Sequence, residues 1–416
     1  MMCIIKKWAV VACLLPLQAF SQQDSVLSLN EILDQINQSN IQLQSYGLKA
    51  KSYAYTADAA TAWMPPMVGV GTFMTPLPGQ MKMQPSDAGS LMLRLEQEIP
   101  SGGKLKAKKR YIESQAPIEL AAREEAFNNL KALAKSQYYA WLIASQRVKV
   151  LQRNVEVMEM MKKVEEVRYP YNQSQLSSVF QASARLEENL NMIRMQEGTI
   201  GRARAVLNGL MNRPGNQKFG IDTVQEPRFV TAQFDTASLA AARADVLRMN
   251  QSIRSMELNI AAMRQQRKPD FKIQYDQMLP FDAAMPKSYS VMGMISIPIA
   301  PWSSKMYKSD IKAMEYNIHA MEKERDAMLQ ESQGMLYGMQ AEIASMQQRI
   351  RSMETKVIPS LQNALDANVL NYRENKVQLP LVIQTWDALN MMQMDLLDEK
   401  LKLYQMIIDY EKEFYR

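Results

Sequence analysis

Two stretches decide how this chain is read: Tyr169-x-x-Asn172-x-x-Gln175-x-x-x-Val179-Phe180-Gln181, and Tyr372-x-x-Asn375-x-x-Gln378-x-x-x-Val382-Ile383-Gln384. They are one 13-residue pattern repeated at an offset of 203 residues. Six matched positions at one fixed offset mark an internal duplication. The 416-residue chain is therefore two copies of a unit about half its length.

The rest of the sequence follows the same offset. Trp63-Met64-Pro65 is answered by Arg267-Lys268-Pro269, and residues 91–100 by 290–298. Each pair leads into a small-residue turn and a lysine (Gly102-Gly103-Lys104, then Ser303-Ser304-Lys305), and from there into a very long helical run. Helical segments 29–62 and 238–266 lie upstream. Each copy thus reads helix, strand, loop, strand, long helix, tip, long helix. The expected boundaries are a first repeat at 22–213, with two strands within about 67–99 and a helical hairpin at about 103–211. A linker at 214–236 follows, broken by Pro214, Gly215, Gly220 and Pro227. The second repeat is 237–416, with strands within about 271–297 and a hairpin at about 304–414.

These helical runs are too long for a compact domain, where the mean helix is about 11–12 residues. Residues 104–168 contain no stop except Pro117, which predicts a rod of about 95 Å at ~1.5 Å per residue. Uncapped periodic runs beyond about 25 residues read as coiled coil or helical array.

The N-terminus reads as an export signal over residues 1–21. Lys6 and Lys7 precede an apolar run at 8–17, and Ala19-Phe20-Ser21 is a small-x-small cleavage site. Both cysteines, Cys3 and Cys13, fall inside it, so the mature chain is expected to hold no thiol. Val10-Val11-Ala12-Cys13 loosely matches a lipoprotein cleavage box, the alternative in which Cys13 is lipidated. No segment approaches 18 consecutive apolar residues, so no transmembrane helix is expected. The net charge of +6 is spread over helices that interleave both signs, which reads as solvated helix faces rather than a nucleic-acid surface.

The strand candidates alternate. Leu91, Leu93 and Leu95 oppose Arg94, Glu96 and Glu98; Phe271, Ile273 and Tyr275 oppose Lys272, Gln274 and Asp276; Tyr289, Val291, Ile295 and Ile297 oppose Ser290 and Ser296. About nine residues of apolar-out, polar-in alternation fits a strand crossing a bilayer as part of a barrel. A soluble sheet packed on a core is the alternative, but no globular remainder exists to supply that core. Four strands cannot close on themselves, so their edges must pair with other copies. Three copies give about 12 strands, within the usual range.

With these residues in view, the chain resembles the TolC-like outer-membrane efflux family over essentially its whole mature length. The resemblance rests on the duplication, the strand placement, the Gly-Gly-Lys restart after the second strand, and a Tyr-x-x-Gly motif at each hairpin tip. Here Asn172 and Asn375 stand in place of the glycine; asparagine tolerates positive φ next best. The resemblance implies an α+β membrane protein: a homotrimer with a 12-stranded β-barrel in the outer membrane of a Gram-negative bacterium and a long α-helical tunnel in the periplasm. Its implied partners are a periplasmic adaptor, an inner-membrane transporter of the resistance-nodulation-division type, and outer-membrane lipid. No cofactor and no enzymatic step are implied. The expected tip and gate residues are Tyr169, Asn172, Gln175, Tyr372, Asn375, Gln378, Gln384 and Asp387. Tyr372 matches the family's gate tyrosine, with plain tip packing as its alternative role. The family's gate carboxylates fall here on Leu381 and Gln384, so an acidic ring at those positions is absent, and Asp387 is the nearest substitute. Pro359 is expected to kink the second hairpin, with no counterpart in the first.

Cargo is read from methionine, of which the chain has 33. Most lie in helices, at positions such as Met158, Met161, Met314, Met321 and Met328, where they serve as adaptable filler. Met92, Met278, Met292 and Met294 fall on the polar side of the strands, and Met74, Met81 and Met83 on the first outer loop. Thioethers are soft ligands that favour Cu(I) and similar ions. Copper or silver export therefore stands beside efflux of drugs or other small organic molecules and a type I protein-secretion duct. A structural periplasmic coiled-coil or adaptor protein is the reading from a different class, although adaptors carry one hairpin rather than two copies with four strands. His319 is isolated, and no phosphate loop, zinc spacing or nucleophile elbow is present.

Overall fold

The computed structural model describes residues 26–80, 84–171, 175–224, 226–298, 300–374 and 376–414. The export signal with Cys3 and Cys13, the loop residues Met81 and Met83, and the tip asparagines Asn172 and Asn375 lie outside the described residues.

The chain opens on β1 (Val26–Leu27), α1 (Leu29–Ser39) and α2 (Ile41–Ala59), then β2 (Met67–Phe73) and β3 (Ser90–Ile99). The first hairpin is α3 (Gly102–Glu113), α4 (Ala116–Arg168) and α5 (Leu176–Leu210). After β4 (Gly220–Ile221) the order repeats as α6 (Thr236–Ala242), α7 (Ala244–Arg264), β5 (Asp270–Pro280) and β6 (Ser288–Ser296). It closes on α8 (Pro301–Ser352), a π-helical turn over Met353–Val357, α9 (Ile358–Arg373) and α10 (Leu379–Phe414).

Both upstream segments, expected as single helices, are broken, and at equivalent places. Asn40 ends α1 in an extended conformation, and its side chain caps the backbone N–H groups of Gln42 and Leu43 at the start of α2. Its amide also donates to the Leu210 carbonyl at 3.0 Å, so the break is anchored on the far end of the hairpin. Arg243, 203 residues later, is likewise extended, between α6 and α7. It is buried and pairs with Asp245 at 2.6 Å and with Glu413 near the end of α10. Neither break carries a proline or glycine.

The two hairpins bend differently. The first breaks near its start, at Ser114 and Gln115, with Pro117 in the first turn of α4, where its missing N–H costs nothing. The second runs unbroken through α8 and bends near its tip. Pro359 cannot donate to the preceding turn, and just upstream the ladder widens: the Ile358 N–H reaches the Met353 carbonyl five residues back.

Methionine recurs every seven residues along α8 and into the π-helical turn, first as Met314, Met321 and Met328, then as Met339, Met346 and Met353. The packing partner changes between these series. Ile318, with Met314 and Met321 beside it, packs on Ile253 and Ile260 of α7, whereas Leu336, Ile343 and Ile350 join the core built with α10. Ile318 and Leu336 are eighteen residues apart, about five turns at ~3.6 residues per turn, so one face of α8 meets α7 first and α10 further along. Arg325 and Ser332 occupy the changeover, bonded to Asn250 at 3.1 Å and Glu413 at 2.9 Å.

The main core lies at mid-length. Ile36 of α1, Tyr138 and Leu142 of α4, Leu207 of α5 and Ile408 of α10 are fully buried there. The inter-repeat segment is part of this core. Phe219 packs on Trp141, Phe234 packs on Phe414, and β4 pairs parallel with β1.

Candidate functional site

The four longer strands form one antiparallel sheet in the order β2-β3-β5-β6. It is open, with β2 and β6 at its edges. Register aligns Gly69, Arg94, Asp276 and Ser290 in one row across the sheet, and Gly71, Met92, Met278 and Ser288 in the next. Successive residues on a strand face opposite ways, so these rows share a face with Glu96, Gln274 and Met292, and with Glu98, Lys272 and Met294.

That face is polar and internally bonded. Arg94 pairs with Asp276 at 2.8 Å, Gln274 donates to Asp276 at 2.7 Å, and Lys272 pairs with Glu96. These two ion pairs cancel, and exposed Glu98 on the same face adds one carboxylate beyond them. The opposite face is apolar and exposed: Val68 and Val291 are 76% and 62% exposed, and Leu93, Leu95, Phe271, Ile273 and Ile295 are also exposed. Among the described residues no helix covers it.

The four strand methionines do not converge. Met92 lies directly opposite Met278, Met292 opposite Gln274, and Met294 opposite Lys272. The Arg94 guanidinium also approaches the Met92 sulfur at 3.7 Å. Met74 ends β2 at a positive φ of 52° with its side chain exposed. Among the described residues no cluster of histidine, cysteine or carboxylates is arranged to hold a metal ion.

The second region is the hairpin tips. Met158, Met161, Leu365, Val382 and Trp386 form a separate small core there. Tyr372 is inside it, only 7% exposed. Its hydroxyl donates to the carboxylate of Glu165, and the guanidinium of Arg168 lies over its ring at 4.4 Å. Burial, reinforced by the Glu165 contact, pushes the phenol up to about 12, so it stays a donor at any ordinary pH. Tyr169, its counterpart in the first copy, is exposed. Gln175 caps the start of α5 in an extended conformation, and the Gln378 carbonyl accepts the Leu381 N–H at 3.2 Å.

Just above the tips, α5 and α10 line a groove at repeat-equivalent positions. Gln181 and Gln384 lie on its wall with Pro380, Ile383, Arg185 and Asp387. Arg185 bonds Asp387 at 2.8 Å and Glu188 at 2.6 Å. Burial raises Asp387 above the ordinary carboxylate value, while Arg185 pulls it down. Of the residues expected from sequence, the groove brings Gln384 and Asp387 together, Tyr372 sits in the tip core, and Gln175 and Gln378 shape the turns.

Glu165, Arg168 and Arg185 were not among the expected site residues. A signal for Arg185 did exist: the copies carry Ala184-Arg185 where the other has Asp387-Ala388, so opposite charges occupy neighbouring equivalent positions. Nothing in the sequence singles out Glu165 from the other acids of its helix.

No family model and no curated protein matches this sequence. Solved structures do match by fold. The channel protein CusC superposes with a TM-score of 0.73 at 15% identity, over 93% of this chain and 91% of that one. The outer-membrane protein VceC of Vibrio cholerae gives 0.69 at 14% identity, over 93% and 96% of the two chains. The open state of the outer-membrane channel MtrE of Neisseria gonorrhoeae gives 0.68 at 14% identity, over 93% and 88%. The chain has the fold of these outer-membrane channels.

Proposed function

We propose that this chain, having the fold of outer-membrane channels, is the exit duct of a tripartite efflux system of the TolC-like family. The observation that carries the reading is the sheet: one face polar and internally bonded, the other apolar and exposed. Such a sheet fits a barrel wall between lipid and a watery lumen. Its open edges, β2 and β6, call for closure by further copies, and three give twelve strands.

The helices support the same closure. Along α2, Ile41, Leu48 and Tyr55 recur every seven residues and are all exposed. On α8, Trp302, Met306 and Tyr316 are exposed opposite the stripe that meets α7. The helices below the sheet pack in the order α2, α3, α7, α8, as the strands above them do, so both exposed stripes lie at the same edges as β2 and β6. The proposed partners are two further copies, a periplasmic adaptor at the tips and an inner-membrane pump. No covalent chemistry is assigned to the duct, because its work is conduction.

Conductance tests this. Purified protein added to planar bilayers is expected to open discrete ion-conducting channels. A periplasmic coiled-coil or adaptor protein gives none.

Copper or silver is a cargo reading favoured by one observation, the cross-strand pair Met92 and Met278 on the polar face. Two thioethers without a fixed third ligand suit transient contact with a soft ion in transit.

A further inference from the structure

Resting on that reading, we propose that the ends of the helices just below the sheet form a basic collar that binds anionic phospholipid of the periplasmic leaflet. Four segments connect sheet to helices, at 56–66, 100–113, 264–270 and 300–315. Register brings them to one level, since Ile99 lies opposite Phe271, Asp270 opposite Ser296, and β2 begins opposite Glu96. Together they hold eleven lysines and arginines against five carboxylates. That excess of six equals the formal net charge of the entire chain, so the basicity of the protein is concentrated in one band.

Several of the carboxylates are already engaged. Asp58 holds Lys109 at 2.5 Å, Asp270 holds Lys104 at 2.6 Å, and Glu315 holds Arg264 at 3.2 Å. Lys106, Lys108, Arg110, Lys305 and Lys308 are exposed and, among the described residues, make no ion pair.

Geometry sorts these cations by side. Lys104 and Lys108 are one turn apart on α3, and the bond from Lys104 to Asp270 turns that face toward the polar side of the sheet. Lys106 is about 200° around the helix from Lys108 at ~3.6 residues per turn. With Arg110 one turn further, it points to the apolar, lipid side. At the same level Gln97, an apolar-face position, donates to the Met64 carbonyl at 3.0 Å, holding the segment that carries exposed Trp63. Tryptophan and cations at the edge of an apolar band are the combination that seats a protein at lipid headgroups. Each Lys or Arg near an anionic surface strengthens binding about fivefold.

The test offers the delipidated, detergent-extracted full-length protein equal amounts of phosphatidylglycerol and phosphatidylethanolamine with matched acyl chains. Native mass spectrometry then counts the lipids retained. Phosphatidylglycerol is expected to be retained several-fold over phosphatidylethanolamine. Replacing Lys106 and Arg110 together by Gln is expected to bring the retention ratio of the two lipids close to one, while Lys108→Gln leaves it unchanged. Equal retention of both lipids by the unmodified protein, or an undiminished preference in the double variant, overturns the proposal. Displacement of phosphatidylglycerol by millimolar inorganic phosphate also overturns it, because the site then recognises a free anion. Conductance in bilayers of neutral lipid reads the channel function separately, so loss of one leaves the other standing.

Discussion

The Tyr372 hydroxyl donates to the Glu165 carboxylate, tying the tip of the second repeat to the last turn of α4 in the first. Glu165 is only 2% exposed, so the bond is made out of water. A hydrogen bond to a charged group is worth about 1.5–3 kcal/mol, and the Arg185–Asp387 pair adds a second tether between the copies. Replacing Tyr372 by Phe and Asp387 by Ala together, which removes both bonds, is expected to raise single-channel conductance while oligomer stability stays near that of the parent. Unchanged conductance places the constriction elsewhere.

Asp387 gives the tips a pH dependence. Burial raises its folded value above 3.8, with Arg185 opposing. A carboxyl so raised favours the folded tip in its protonated form. That contribution is full below 3.8 and is lost as pH rises through the folded value. Hydrogen-exchange protection of residues 379–390, corrected for intrinsic rates, is therefore expected to increase on acidification from neutral pH. In Asp387→Asn the dependence should flatten.

The two faces of the sheet are separable by single cysteines, since the only native cysteines are Cys3 and Cys13. Cysteines at Leu93 and Ile273 are expected to resist a small water-soluble thiol reagent, and those at Arg94 and Gln274 to react. Leu93→Arg should cost about 2–4 kcal/mol if the position lies near mid-bilayer, read as lost folding into lipid vesicles. Equal labelling of all four sites refutes the barrel-wall assignment.

The exposed stripe on α2 is expected to be an interface between copies. Leu48→Glu places a charge in the middle of that stripe and should lower the temperature at which the detergent-extracted oligomer dissociates on a gel. Lys49→Glu, an exposed position about 100° around the same helix from Leu48, should not. An unaltered oligomer in Leu48→Glu moves the interface elsewhere.

Replacing Met92, Met278, Met292 and Met294 by leucine keeps approximate side-chain volume, so folding should survive. Resistance to copper or silver should fall, with tolerance of detergents and dyes preserved, and Met92→Leu with Met278→Leu should account for most of the loss. If deleting the whole protein sensitises cells to organic compounds but not to either metal, the methionines are packing material.

The strands and long rods were legible because each depends on a local period: two along Leu91 to Leu95, and a sustained helical one through α4 and α8. The bend near Pro359 was legible for the same reason, since a missing donor disturbs its own turn. The breaks at Asn40 and Arg243 were not. Asn40 caps Gln42 and Leu43 locally, but its place is fixed by the bond to Leu210, and Arg243 is held by Glu413, each partner 170 residues away. Glu165 was hidden in the same way, because its meaning depends on which helix lies beside it.

A sheet with two unsatisfied edges makes concentration a determinant of survival. One copy meeting lipid alone would bring the free N–H and C=O groups of β2 and β6 with it, at several kcal/mol for each group left unbonded. Closure must therefore accompany insertion, and the productive event needs several chains at once. Its rate rises more steeply than in proportion to supply, while loss to proteases or to misjoined edges acts on single copies. Modest changes in synthesis should then produce disproportionate changes in finished duct, with a threshold below which almost none accumulates.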